Sequence, residues 1–225
     1  MNKIKIKVLF EDNHILVVEK PVNVLSQKDI TGDIDMTEII KDYLKEKYQK
    51  PGNVYLGLIH RLDRRVGGVM EFAKTSKAAQ RLSEDIRNHQ FKKVYLACVA
   101  GLIDKDGEIN VNIKKDLNAK KAIIDNNGSI SKLSYKVINS SNNKTYVFVD
   151  LITGRYNQIR VSFAHIGHPI INDYKYDKTI KENKDDIGLY CYMIGLTHPI
   201  TKEYKEFSNF PNGKIWDECK LKRQM

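Results

Sequence analysis

The chain opens on an alternation. Ile4, Ile6, Val8 and Phe10 fall on one side of a period-two pattern whose other side carries Lys3, Lys5, Lys7 and Leu9, which predicts a half-buried strand. Glu11-Asp12-Asn13 supplies a turn. His14 to Glu19, with Ile15-Leu16-Val17-Val18 at its centre, predicts a second strand that Lys20-Pro21 ends, because proline cannot donate to a ladder. Spacing then turns helical: Ile39, Ile40, Tyr43 and Leu44 form one apolar stripe through about Tyr48, with Asp35 or Thr37 as cap and Lys41, Lys45 and Lys47 on the polar face. Val69 to Phe72 predicts a strand, and Thr75 or Ser76 opens a helix with Ala79, Leu82 and Ile86 aligned.

The second half is richer in strands. Val94 to Ala100 is a buried strand ended by Gly101. Short alternating segments at Ile109–Ile113, Lys121–Ile124, Lys132–Val137 and Tyr146–Leu151, separated by Asn-Gly and Asn-Asn turns, predict an antiparallel meander. Asn157 to Ile166 has helical spacing, Gly167 sits where a left-handed residue closes a helix, and Pro169 forbids continuation. Lys178 to Asp186 is a charged loop, and Leu189 to Leu196 and Tyr204 to Phe207 return to strand patterning. Without repeats or an obvious linker, the pattern predicts a single α+β domain over residues 1–225. Its sheet is expected to be mixed but mostly antiparallel, with flanking helices.

Composition narrows the function. A length of 225 residues suffices for one good core or two small subdomains sharing a sheet. The net charge of +10 is spread along the chain and attracts phosphate polyanions, with an anionic membrane surface as the other taker. Cys98, Cys191 and Cys219 are odd in number, far apart and without a CxxC pair, which argues for a reducing compartment and against a zinc site. His165 and His168 lie at a helix end with no acid cluster nearby, a poor start for a metal pair. No apolar run reaches the ~18 residues a membrane span needs, so a cytoplasmic location is expected.

One stretch carries chemistry. Leu58-Ile59-His60-Arg61-Leu62-Asp63-Arg64-Arg65-Val66-Gly67-Gly68 sets a single carboxylate among His60, Arg61, Arg64 and Arg65. Opposite charges within a few ångströms keep an acid ionised, which suits a nucleophile working where a polyanion binds. The ordinary alternative is a surface ion-pair cluster.

His60-Arg61-Leu62-Asp63-Arg64, followed by Gly67-Gly68-Val69-Met70-Glu71-Phe72-Ala73-Lys74, resembles the signature segment of the RluA-type pseudouridine synthases. The aspartate of that motif is the family's catalytic residue, so the resemblance gives the role to Asp63. Lys93-Val94-Tyr95-Leu96-Ala97 is similar to the segment bearing the family's active-site tyrosine, which makes Tyr95 the candidate for stacking on the target base. By itself, a tyrosine in an apolar strand is a core residue. Thr153-Gly154-Arg155-Tyr156-Asn157-Gln158-Ile159-Arg160-Val161 resembles the third motif, whose arginine, here Arg160, pairs with the catalytic carboxylate. A phosphate contact from a helix face is the alternative for Arg160. Gly167-His168-Pro169-Ile170, with Asp173 and Tyr176, resembles that motif's usual sequel, and the likeness runs from about Val8 to Phe210.

The chain also departs from the pattern. Val66-Gly67 stands where a Thr-Ser pair is usual, Asn23 where a glycine is usual, and Asn157 and Ser162 where histidines are common. Many relatives carry a small N-terminal RNA-binding module that this chain is too short to hold, so target recognition is expected from the catalytic domain. The resemblance implies an RNA pseudouridine synthase acting on ribosomal or transfer RNA, as a monomer, without cofactor or metal. It places Arg61, His60 and Arg64 of the signature, and Arg155, Asn157 and Gln158 of the third motif, against RNA. His60 has a structural alternative as a hydrogen-bond donor to the signature turn, and Trp216 reads as a packing anchor. The rival is a catalytically inactive RNA-binding or ribosome-assembly factor on the same fold. A pure binder needs basic residues but no specific acid, so Asp63, Tyr95 and Arg160 together favour the enzyme.

Overall fold

Asp12 sets the first turn. Its Oδ1 accepts the amides of His14 and Ile15 at 2.7 and 2.8 Å, reversing the chain between β1 (Lys7–Glu11) and β2 (Ile15–Lys20), which pair antiparallel. The computed structural model describes residues 4–183 and 185–221, so the alternating run that begins at Lys3 starts outside the described residues. Ile15 to Val18 are fully buried, which is why β2 reads as a continuous apolar run rather than an alternating one. Helix α1 (Met36–Tyr48) starts on Asp35, the first of the two candidate caps, whose side chain takes the amides of Thr37 and Glu38. β3 (Gly57–Leu58) has two residues, too few for any periodicity to register, and pairs with β4 (Gly67–Ala73). β4 also pairs antiparallel with β2, Lys20 standing opposite Gly68 and Ile15 opposite Ala73. Thr75 caps α2 (Ser76–Arg87) by accepting the Ala78 amide at 3.2 Å.

Five strands follow, β5 (Lys92–Ala100), β6 (Gly107–Asp116), β7 (Lys121–Ile124), β8 (Ser129–Ser141) and β9 (Lys144–Leu151), but the expected simple meander gives way to two hairpins, β6–β7 and β8–β9, joined through β6 and β8. Their spatial order is β5-β9-β8-β6-β7, with each pair antiparallel. β8 is longer than its alternating core, Lys132–Val137, because the polar residues beyond Val137 pair with β9 past a register shift. Helix α3 (Gln158–His165) packs on β6 and β7, and Gly167 closes its C-terminal side at φ +83°. β10 (Leu189–Thr197) lies beside β4 and pairs antiparallel with β11 (Tyr204–Ser208). A 3-10 turn at Lys214–Trp216 follows, and Trp216 packs against Tyr146 with ring centroids 6.4 Å apart.

These elements form two units, one of Met1–Phe91 and Cys191–Asn209, the other of Lys92–Tyr190 and Phe210–Met225. Within the first, β4 and β10 approach so closely that a Cβ at Gly68 would stand 2.4 Å from the Cys191 carbonyl oxygen, and Gly68 also has φ +132°. Only glycine meets both conditions. Among the described residues no helix is long and apolar enough to cross a membrane. The class is α+β, with a mostly antiparallel sheet.

β4 holds one acid in its buried ribbon. Glu71 is fully buried, and neither carboxyl oxygen has a hydrogen-bond partner among the described residues. Burial raises its pKa well above the ordinary 4.5, and Asp85 and Asp12 add to the rise. The folded chain therefore keeps a proton that the unfolded chain releases, and stability falls as pH climbs above the ordinary carboxylate range. Glu71→Gln should be more stable than the wild type at pH 8 in urea titrations, with the gap narrowing as pH approaches 4. A gap independent of pH would contradict a protonated Glu71.

Candidate active site

Asp63 stands on the loop between β3 and β4, and the backbone around it is held from two sides. On one side, the Ser26 hydroxyl accepts the Leu62 amide at 3.0 Å and donates to the Leu62 carbonyl at 2.7 Å. Ser26 and Leu62 are both buried, so that single hydroxyl satisfies two peptide groups with no access to water. On the other, Lys20 reaches back from the end of β2. Its Nζ donates to the carbonyls of Val24, Pro21 and Arg64 at 2.6, 2.9 and 3.2 Å. Asp63 thus sits between two residues whose backbone is clamped.

The loop also closes on itself. Asp63 Oδ1 accepts the Arg65 amide at 3.0 Å, and the Asp63 carbonyl accepts the Val66 amide at 3.0 Å. Together these form an Asx turn inside a β-turn, which orients the carboxylate by its own backbone. Asp63 is half-buried. Asn23, in the segment Lys20 holds, has φ +63°, a left-handed conformation in which asparagine is several-fold enriched among non-glycine residues.

Lys20 is fully buried. Burial pulls its ammonium down to about 7, the attraction of Asp63 opposes the drop, and Arg64 adds to it. The three carbonyls compensate part of the desolvation through charge-assisted hydrogen bonds. Neither Lys20 nor Ser26 is a site candidate on sequence grounds. The available signal is a lysine closing a strand whose apolar run, Ile15–Val18, is fully buried, a position that demands a partner.

The other candidates of the signature divide. Arg61 and Arg64 are exposed, and Arg64 pairs with Asp33 at 2.6 Å on the surface, a contact worth little. His60 is buried, its ring 5.4 Å from that of Phe91, and its Nε2 accepts the Glu71 amide at 3.2 Å. The structural reading of His60 therefore stands in altered form: at Nε2 it accepts, and it accepts from β4 rather than donating to the turn. Burial leaves its ring little surface for RNA.

In the second unit, Tyr95 is 6 % exposed, opposite Val149 in the β5–β9 ladder. Arg160 is 3 % exposed and grips Asp173 with two nitrogens, Nε to Oδ2 at 2.7 Å and Nη2 to Oδ1 at 2.5 Å. Its guanidinium also lies 5.2 Å from the Tyr176 ring centroid. Asp173 as a partner of Arg160 is a pairing that sequence spacing did not suggest.

The third-motif amides point inward. Gln158 Oε1 accepts the Thr153 hydroxyl and the Arg155 amide, both at 2.9 Å, and its Nε2 donates to the Lys132 carbonyl at 3.0 Å. It is buried and braces the turn ahead of α3, which leaves its side chain little surface for RNA. Asn157, at φ +50°, accepts the Tyr176 hydroxyl at 3.1 Å. Arg155 alone of the three is a charged, exposed side chain.

Comparison with known proteins is consistent across sequence and fold. A family model described as RNA pseudouridylate synthase matches residues 14–165. Ribosomal large subunit pseudouridine synthase D of Nitrosomonas europaea is 29 % identical over 205 residues, covering 87 % of this chain and 59 % of the relative. Ribosomal large subunit pseudouridine synthase C of Buchnera aphidicola from Acyrthosiphon pisum is 32 % identical over 204 residues, covering 86 % and 63 %. The chain thus spans less than two thirds of the length of these two relatives. The solved structure of human RNA pseudouridylate synthase domain containing 1 superposes with a TM-score of 0.76 at 21 % identity, covering 92 % of this chain and 84 % of that one, a likeness of fold.

The clamp has a local consequence. Ser26→Ala strands the buried Leu62 amide and carbonyl, a loss of about 1–3 kcal/mol for the loop. Hydrogen exchange at Arg65 and Val66 should quicken at least about fivefold, while amides in the middle of α1 keep their protection. Unchanged exchange at both residues would show that Ser26 does not hold the loop.

Proposed function

Since the chain belongs to the RluA-type family of RNA pseudouridylate synthases, we propose that it isomerises uridines in RNA to pseudouridine with Asp63 as the catalytic carboxylate. The observation that carries this reading is the half-buried carboxylate on a loop clamped by Ser26 and Lys20. Such a mount matters for chemistry at a sugar, where an acid misplaced by an ångström loses most of its effect.

The reaction is balanced within the nucleotide. The N1–C1′ bond breaks, the base rotates, C5 bonds to C1′, the C5 proton leaves and N1 gains one. Nothing is oxidised and no group departs, so the chemistry asks for no metal or redox cofactor. It asks for an ionised carboxylate near the ribose, as in glycosidases that meet charge at an anomeric carbon. Attack on C1′ and removal of a ribose proton both fit that requirement.

Tyr95 and Arg160 keep the roles the resemblance assigns them, stacking on the target base and supporting the catalytic carboxylate, with Asp173 fixing the Arg160 fork. The two units are proposed to act as one catalytic domain, working as a monomer in the cytoplasm. Arg61, Arg64 and Arg155 are the proposed RNA contacts, because they are charged and exposed. Extruding a stacked uridine costs a few kcal/mol, which inserted side chains help offset. The names of the relatives favour large-subunit ribosomal RNA as substrate, with transfer RNA as the second candidate.

Release of tritium from RNA labelled at uridine C5 tests the proposal. The wild type should release label from large-subunit ribosomal RNA, and Asp63→Asn should be slower by at least about 10³-fold. Equal release by both proteins would remove Asp63 from its role. Binding without release by the wild type would leave an RNA-binding factor instead.

A further inference from the structure

At the end of β4 away from Asp63, the first unit carries a cavity of about 270 Å³. The uridine chemistry makes no use of it. Its floor is apolar, formed by the buried Leu44 and Val54. Tyr48 and Tyr55 line it as well and are 45 % and 48 % exposed. The seven residues of β4, Gly67–Ala73, separate the Asp63 loop from Lys74 at the cavity wall, a span of about 20 Å in extended chain.

Cations crowd one of the two rings. The Nζ atoms of Lys74, Lys47 and Lys50 lie 4.7, 5.6 and 5.8 Å from the Tyr48 centroid. One carboxylate, Glu11, answers them, pairing with Lys47 at 2.6 Å and Lys74 at 2.7 Å. Burial pushes the Glu11 carboxyl up, but hydrogen bonds from Lys47, Lys74, Tyr48 and Tyr43 hold it down to about 2, so it stays ionised. Three ammonium groups against one carboxylate leave a surplus of positive charge, and Lys50 has no ion pair among the described residues.

We propose that this cavity takes an unpaired nucleotide of the RNA substrate, a different one from the uridine being isomerised. The base stacks between the half-exposed tyrosines over the Leu44–Val54 floor, and its phosphate faces Lys50. The inference rests on the reading of RNA as substrate. A simple anion would leave the Tyr55 ring unused, and a neutral apolar ligand would leave Lys50 unanswered. A nucleotide uses both, and because every base has a π-face the site is tolerant of sequence. The cavity gives the chain a hold on RNA away from the catalytic loop.

The test compares the wild type, Tyr55→Ala and Lys50→Glu for binding of a short single-stranded oligouridylate, read by fluorescence anisotropy across salt concentrations. Both substituted residues are exposed, so the fold should survive. Each variant should bind about tenfold more weakly, and Lys50→Glu should flatten the slope of log Kd against log salt by about one. In tritium release the same variants should raise KM and leave kcat unchanged. Equal Kd and slope for all three proteins, or no binding by the wild type, would overturn the proposal. Binding is read without turnover, so weakened variants of a wild type that releases no label would support the cavity while overturning the catalysis.

Discussion

Three backbone carbonyls converge on one buried ammonium, and the position of Asp63 follows from that convergence. An ammonium taken wholly out of water carries a desolvation penalty of several kcal/mol. Lys20 meets it by donating to Pro21, Val24 and Arg64, and by its attraction to Asp63. Letting go of the loop would leave the charge without part of that compensation. The loop is therefore held by the high energy of the alternative more than by the strength of any one bond. Ser26 works on the other side by the same logic with neutral groups, since Leu62 would otherwise bury an amide and a carbonyl unpaired.

Local rules were enough for most of the elements. Asp35 and Thr75 cap their helices where the hydropathy pattern begins, Gly167 takes its left-handed conformation, and the β6–β7 and β8–β9 hairpins form, whereas the β6–β8 pairing that joins them in place of a meander skips a strand. The caps, the helix end and the hairpin turns each depend on residues within a few positions of one another. β3 has only two residues and so no period, and the end of β8 is defined by pairing with β9 rather than by its own alternation. The site was legible only in part. Asp63 announces itself by its cationic neighbours, but Ser26 meets Leu62 from 36 positions away and Lys20 meets Arg64 from 44. No spacing rule reaches that far.

The third motif shows a different limit. Polar residues in a segment thought to face RNA look like RNA contacts, yet Gln158 and Asn157 spend their side chains on the turn before α3 and on Tyr176. Arg160 is fixed by a two-pronged contact with Asp173, thirteen positions on, which lies past the helix. Amides satisfy buried backbone and hydroxyl groups well, whereas Arg155 is exposed and its guanidinium has one backbone contact among the described residues, Nε to the Ile130 carbonyl at 3.2 Å. Side-chain type alone does not separate these duties; burial does.

The most direct test of a held carboxylate is the single-turnover rate of Asp63→Glu on an RNA that the wild type converts. That substitution keeps the negative charge and moves it outward by one methylene, about 1.5 Å. If the clamped loop exists to fix where the carboxylate stands, the rate falls by about 10²-fold or more. A variant that keeps most of the wild-type rate would show that charge near the ribose suffices, and would contradict the role given to Lys20 and Ser26.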